Sequence, residues 1–139
     1  MSYSHLLVAV APTPESQALL RKAVAIARPL NARVSLITLA TDPEMYNQFA
    51  APMMESLREL MHEETQQFLI SLAEAVDYPI WKTQIACGEL GEHINAFSKK
   101  YQVDLVICGN HNQSFFSRAT CSAKSVVGNS GVDVLLVTL

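Results

Sequence analysis

The sequence predicts an α/β protein built on an open, doubly wound, five-stranded parallel sheet in the order 3-2-1-4-5, with helices on both faces. Three observations lead there. Short apolar runs alternate with segments of helical periodicity along the whole chain. The connections between runs are long enough for right-handed crossovers and too long for hairpins. The apolar run that begins after Asp104 ends on Gly109 and passes into a polar loop and a helix, the arrangement that puts a ligand crevice at the switch point between the first and fourth strands.

Length and composition set the frame for these elements. The 139 residues are half apolar, which suits one domain over residues 1–139 and leaves no room for a second. A net charge of −3 without a long run of either sign gives no footprint for nucleic acid or an anionic membrane. No apolar stretch reaches the roughly 20 residues of a membrane span, and the first residues lack a basic start and a cleavage site, so a cytoplasmic protein is expected. Cys87, Cys108 and Cys121 show no CxxC spacing, which points to reduced thiols and to neither a disulfide framework nor a zinc site.

Each element follows from its own residues. His5 to Ala11, HLLVAVA, reads as a central strand covered on both faces. Thr13-Pro14-Glu15 offers an N-cap, a proline at the first helical position and an acid in the first turn. Leu19, Lys22, Ala23, Ile26, Ala27 and Leu30 then hold helical spacing, with Lys22 as the polar intruder, until Pro29 and Asn31 end the helix. Arg33 to Leu39 is a second strand, and residues 40–51 form a connecting loop.

From Pro52 onward Met53, Leu57, Leu60, Met61, Phe68, Leu69, Leu72 and Val76 predict the buried stripe of a long helix, with Glu55, Glu59, Glu63 and Glu74 off it. The methionines read as core filling, and His62-Glu63-Glu64, lacking a second His, reads as a solvated face and not a zincin site. Ile80 to Cys87 predicts a third strand at the sheet edge, with Trp81 packing on a helix. Gly88 to Glu92 turns into a third helix carrying Ile94, Phe97 and Tyr101, with Lys99 and Lys100 where positive charge suits the dipole. His93 in its first turn reads as a surface histidine. Leu105 to Cys108 is the fourth strand, Ala119 to Asn129 the fourth helix and Val132 to Leu139 the fifth strand.

LLVAVAPTPES, the ITLATDP junction, CGELGEHI, DLVICGNHN and the closing VDVLLV, in that order, resemble the universal stress protein family over almost the whole chain. The set looks most like the A type of enteric bacteria and, within it, the C branch. The resemblance implies an adenine nucleotide alpha hydrolase-like fold and a role in stress responses, DNA damage included. It divides the family by an ATP motif: Gly, two residues, Gly, nine residues, then Gly and Ser or Thr. Here Gly109, Asn112, Ser122 and Ala123 occupy those positions, and only the first matches. The lost glycines matter because they admit positive φ and close approach to phosphate oxygens, and Ala123 lacks a hydroxyl donor. An Asp that ATP-binding relatives carry after the first strand is replaced by Ala11 and Pro12. With both walls of the crevice altered, no cofactor is expected.

What the same loop retains is a set of hydroxyls, Ser114, Ser117, Thr120, Ser122 and Ser125, beside Arg118 and Lys124, which suits an anion or a phosphorylated side chain. Phe115 and Phe116 are the candidate partner contact. Cys121 near the helix start reads as an inert thiol. His111, Ser117 and Asp104 have the residue types of a hydrolytic triad, but no G-x-S-x-G elbow surrounds a serine, so no catalytic residue is assigned. Val132, Val134, Leu135, Leu136 and Val137 in an apolar last strand predict an edge that pairs with a second copy. The resulting expectation is a homodimeric docking or regulatory module that meets signalling proteins such as sensor kinases and can form heterodimers with paralogues. The alternative is a nucleotide-binding switch or weak ATPase with a degenerate phosphate loop.

Overall fold

The computed structural model describes residues 3–39, 51–87, 90–110 and 132–138. In chain order these form β1 (His5–Val10), α1 (Glu15–Leu30), β2 (Arg33–Leu39), α2 (Ala51–Glu74), β3 (Ile80–Ala86), α3 (Leu90–Tyr101), β4 (Leu105–Asn110) and β5 (Asp133–Thr138). The strands make one parallel sheet in the order β3-β2-β1-β4-β5, as the apolar runs predict. The fourth helix expected over Ala119 to Asn129 lies outside the described residues.

The central position of β1 explains its composition. Leu6, Val8 and Val10 enter a core shared with α1 and α2, while Leu7 and Ala9 face a second core built with Ile94 and Phe97 of α3. A strand buried on both faces has no solvent side to make polar, so its sequence is continuous where a half-exposed strand alternates. β3 at the edge alternates more weakly and keeps Trp81, Lys82 and Thr83 in solvent.

Two local readings change and a third holds. The side chain of Thr13 makes no cap hydrogen bond: its backbone carbonyl accepts the Ser16 N–H at 3.2 Å, and its Oγ1 is buried without a partner. Lys22 leaves the stripe and is exposed; Leu19, Leu20, Ala23, Val24 and Ala27 are buried instead, because the face that meets β1 and β4 is rotated past it. Pro29 sits inside the last turn, and the helix stops at Asn31, whose left-handed backbone (φ 53°) lets two N–H groups reach Ala27 and Arg28 carbonyls.

α2 departs furthest from its pattern. Leu69 and Leu72 are buried and Leu57, Met61, Phe68 and Val76 half-buried, but Leu60 is 53% and Ile70 48% exposed. Val76 lies beyond the helix, in a connection that Arg28 holds through the Asp77 carbonyl at 2.8 Å and Tyr78 through the carbonyl of Ala32. The reason is the position of β3: a helix over an edge strand has sheet beneath only part of its length, whatever its apolar spacing.

Candidate functional site

Parallel pairing of β1 with β4, Ala9 opposite Cys108, brings Ala11 and Gly109 to neighbouring strand ends at the switch point. This is the crevice position in a sheet of this winding. Of the residues around this point, Val10 and Gly109 are buried, Ala11 is half-buried, and burial pushes the Cys108 thiol up to about 12, so it stays protonated.

The backbone at this point is also committed. The Ala11 N–H donates to Ser16 Oγ at 3.0 Å, Ser16 Oγ–H donates back to the Ala11 carbonyl, and the Thr13 N–H reaches the same carbonyl at 2.7 Å. Ser16 is itself buried. One hydroxyl therefore closes the β1–α1 turn by using both polar groups of Ala11, and nothing at that residue is left to meet a base or sugar.

The sequence-predicted residues divide accordingly. Ala11 and Gly109 come together. Asn112, Ser122 and Ala123 of the degenerate motif, the hydroxyls Ser114, Ser117, Thr120 and Ser125 with Arg118 and Lys124, the pair Phe115 and Phe116, and Cys121 all lie outside the described residues. At the fifth strand, Val137 is buried, Val132, Val134 and Leu135 are half-buried and Leu136 is 46% exposed, and β5 pairs only with β4 among the described residues.

Asp104 has a different role from the one its residue type suggests. It stands before β4, one strand length (about 20 Å for six residues) from the end that leads to His111. Its carboxylate accepts the Ser4 N–H at 2.8 Å, the Ser4 hydroxyl at 3.0 Å and the His5 N–H at 3.0 Å. Partial burial works against its ionisation, yet these hydrogen bonds hold it below the usual carboxylate range. It staples β1 to β4, at the end of the strand remote from the one that leads to His111. His93 is likewise occupied, with Nε2 at 2.7 Å from the Cys87 carbonyl. Among the described residues no cluster of three metal-ligating side chains forms, and no helix is long and apolar enough to cross a membrane.

One group at the opposite end of the sheet carried no signal in the sequence. His5 is buried between Tyr101 O at 2.9 Å from Nδ1 and Ser35 Oγ at 2.7 Å from Nε2. The carbonyl can only accept, so Nδ1 carries the proton and Nε2 accepts from Ser35. Burial first, and Arg33 after it, hold this imidazole below its ordinary value, against the opposing pull of the Tyr101 carbonyl and Asp104. Trp81 covers it edge-on, with ring centroids 5.1 Å apart.

Comparison with known proteins agrees with this architecture. The profile of the universal stress protein family matches residues 2–138. Universal stress protein C of Salmonella typhimurium is 71% identical over all of this chain and 98% of its own length, and that of Escherichia coli K12 is 67% identical over the same shares. Universal stress protein A of Escherichia coli K12 is 39% identical over all of this chain and 96% of its own. The A-type likeness expected from the motifs is therefore not supported, whereas the C-branch likeness is. Among solved structures, universal stress protein UspA from Lactobacillus plantarum superposes with a TM-score of 0.72 at 20% identity, covering 99% of each chain. The universal stress protein from Archaeoglobus fulgidus in complex with dAMP gives 0.64 at 16% identity, covering 98% of each. At such identities these structures speak for the fold alone.

Proposed function

Because this chain belongs to the universal stress protein family, we propose that it works as a dimeric regulatory or docking module of the cytoplasm, without tightly held nucleotide and without catalysis of its own. The observation that carries this reading is the closure of Ala11 by Ser16. A nucleotide at the switch point would need a polar contact from the β1 wall, and that wall offers a methyl group and two backbone groups already bonded.

The dimer rests on β5, whose outer edge has no partner strand among the described residues and whose Leu136 side chain is 46% exposed. Its partners would be a second copy or a paralogue, and signalling proteins such as sensor kinases. The loop hydroxyls beside Arg118 and Lys124 would accept phosphorylation as the regulatory input.

A nucleotide-dependent switch is the second reading. It is favoured by the retained switch-point geometry and by a fold relative solved with dAMP. Mass spectrometry of the purified, unheated protein separates the two. The docking reading expects no nucleotide in the preparation; ATP or AMP at one equivalent would overturn it.

A further inference from the structure

Edge strand β3 is irregular at its start. Val34 of β2 faces Ile80, but Ser35 faces Lys82, so Trp81 is an extra residue with no partner of its own. Such a bulge breaks the alternation of faces and re-aims a side chain. Here it sets Trp81 and Lys82 on the same side, against Tyr101 of α3, instead of on opposite sides of the sheet. The indole meets the Tyr101 ring at a centroid distance of 5.4 Å, with planes at 76°.

Cations gather on these two rings. Arg33 lies 5.0 Å from the Trp81 ring, Lys100 lies 5.3 Å from the Tyr101 ring, and Lys82 reaches both, at 5.3 Å and 4.3 Å, while also donating to Tyr101 Oη at 3.1 Å. A chain of this size would show about two cation–aromatic contacts in all; four converge here on one pair of rings. The Lys82 hydrogen bond above all, and Lys100 after it, lower the Tyr101 hydroxyl below its ordinary value against the opposing effect of burial. No carboxylate pairs with Arg33, Lys82 or Lys100 among the described residues, although the chain as a whole carries a net charge of −3.

Covering His5 leaves a large part of the indole open. Trp81 remains 43% exposed, and all three cations are exposed. The contacts order the group as Arg33, Trp81, Lys82, Tyr101, Lys100, a row of positive charges separated by aromatic faces. A single small anion would engage one member of such a row. An extended chain with acidic side chains at intervals and an apolar residue among them would engage all of it. Single-stranded nucleic acid also stacks on aromatics between cations, but the net negative charge opposes its approach.

We propose that this bulge-built row is a docking surface for an extended acidic peptide segment of a partner protein. The acidic side chains pair with Arg33, Lys82 and Lys100, and an apolar side chain rests against the exposed part of the Trp81 indole. The surface lies on β2, β3 and α3, away from both β5 and the switch point, so it stands whether or not the dimer or the nucleotide reading holds.

The chain has one tryptophan, so its emission reports on this surface directly. The full chain is titrated with a synthetic peptide of alternating Glu and Asp around one Phe, with the same peptide carrying Gln and Asn, and with oligothymidylate. The proposal expects a saturable change in emission with the acidic peptide that weakens as salt rises, and little change with the amide peptide. It also expects Lys82→Glu with Lys100→Glu to weaken binding by about tenfold or more, two surface pairs being lost and reversed, with an unchanged far-ultraviolet spectrum. Equal binding of the amide peptide, stronger binding of oligothymidylate, or no emission change at millimolar peptide would each overturn it. The peptide comparison needs no variant, so a misfolded double variant leaves the test intact. Sedimentation and nucleotide content of the same preparation show separately whether the dimer and the empty crevice hold.

Discussion

Replacing Ser16 by Ala removes both hydrogen bonds that close the β1–α1 turn, and the structure shows which of the two losses counts. The Ala11 carbonyl keeps the Thr13 N–H at 2.7 Å, so it is not orphaned. The Ala11 N–H has Ser16 Oγ as its partner and would have none inside the turn. An orphaned buried donor costs about 1–3 kcal/mol; Ala11 is half-buried, so water recovers part of this and about 1–2 kcal/mol is expected. At about 2–4 °C per kcal/mol for a chain near this size, the melting temperature should fall by about 2–8 °C. Thr13→Val is the matched control in the same turn. Its Oγ1 is buried without a partner, so exchanging hydroxyl for methyl should leave stability unchanged or raise it. Urea midpoints and thermal melts of the two variants give the answer. A Ser16→Ala protein as stable as the parent, or a Thr13→Val protein weaker by more than about 1 kcal/mol, would refute the account of this turn.

Other outcomes follow from the same physics. His5 is held below 6.5 in the fold, so the unfolded chain takes up a proton there that the native state refuses; stability present above that pH should decline as pH falls through it, and His5→Gln should flatten the decline in urea titrations. Asp104 acts lower down: its contribution should disappear as pH falls below the carboxylate range, and Asp104→Asn should remove that second step. Gln102 carries a left-handed backbone at φ 57° without being glycine, so Gln102→Gly should raise stability by up to about 1 kcal/mol. Leu136→Lys, at the exposed face of β5, should shift sedimentation toward monomer without lowering the melting temperature of the subunit. A dimer unaffected by it would place the interface elsewhere.

Sequence reading succeeds where one residue's environment is set by its neighbours along the chain. The apolar run from His5 to Ala11 reads as a strand covered on both faces, and β1 over His5–Val10 does lie at the centre of the sheet. It fails where the environment is set by what lies across space. Leu60 keeps helical spacing in α2 yet faces solvent, since spacing along a helix does not say how far the sheet beneath it extends. The bulge at Trp81 is equally silent: no glycine or proline marks it within Ile80–Ala86, and it exists only as a mismatch between two strands. At the crevice, Ala11 was legible as a lost polar side chain, but its capture by Ser16, five residues on, was not, because a serine in the first turn of a helix reads as a neutral helix residue.

The two ends of the sheet thus differ in how their polar groups are used. At the switch point they are turned inward: Ser16 saturates Ala11, Cys108 stays protonated, and the β1 and β4 strand ends present no charge. At the opposite end Asp104 and His5 consume the internal donors and acceptors, which leaves the surrounding cations Arg33, Lys82 and Lys100 with aromatic rings and no carboxylate among the described residues. Unneutralised charge on an exposed surface costs little in water and gains most when a partner brings the opposite sign. If recognition by this chain is electrostatic, its binding should therefore weaken with salt through Lys82 and Lys100, whereas changes at Ala11 should leave it untouched. A salt dependence that survives charge reversal at both lysines would move the recognition surface away from Trp81.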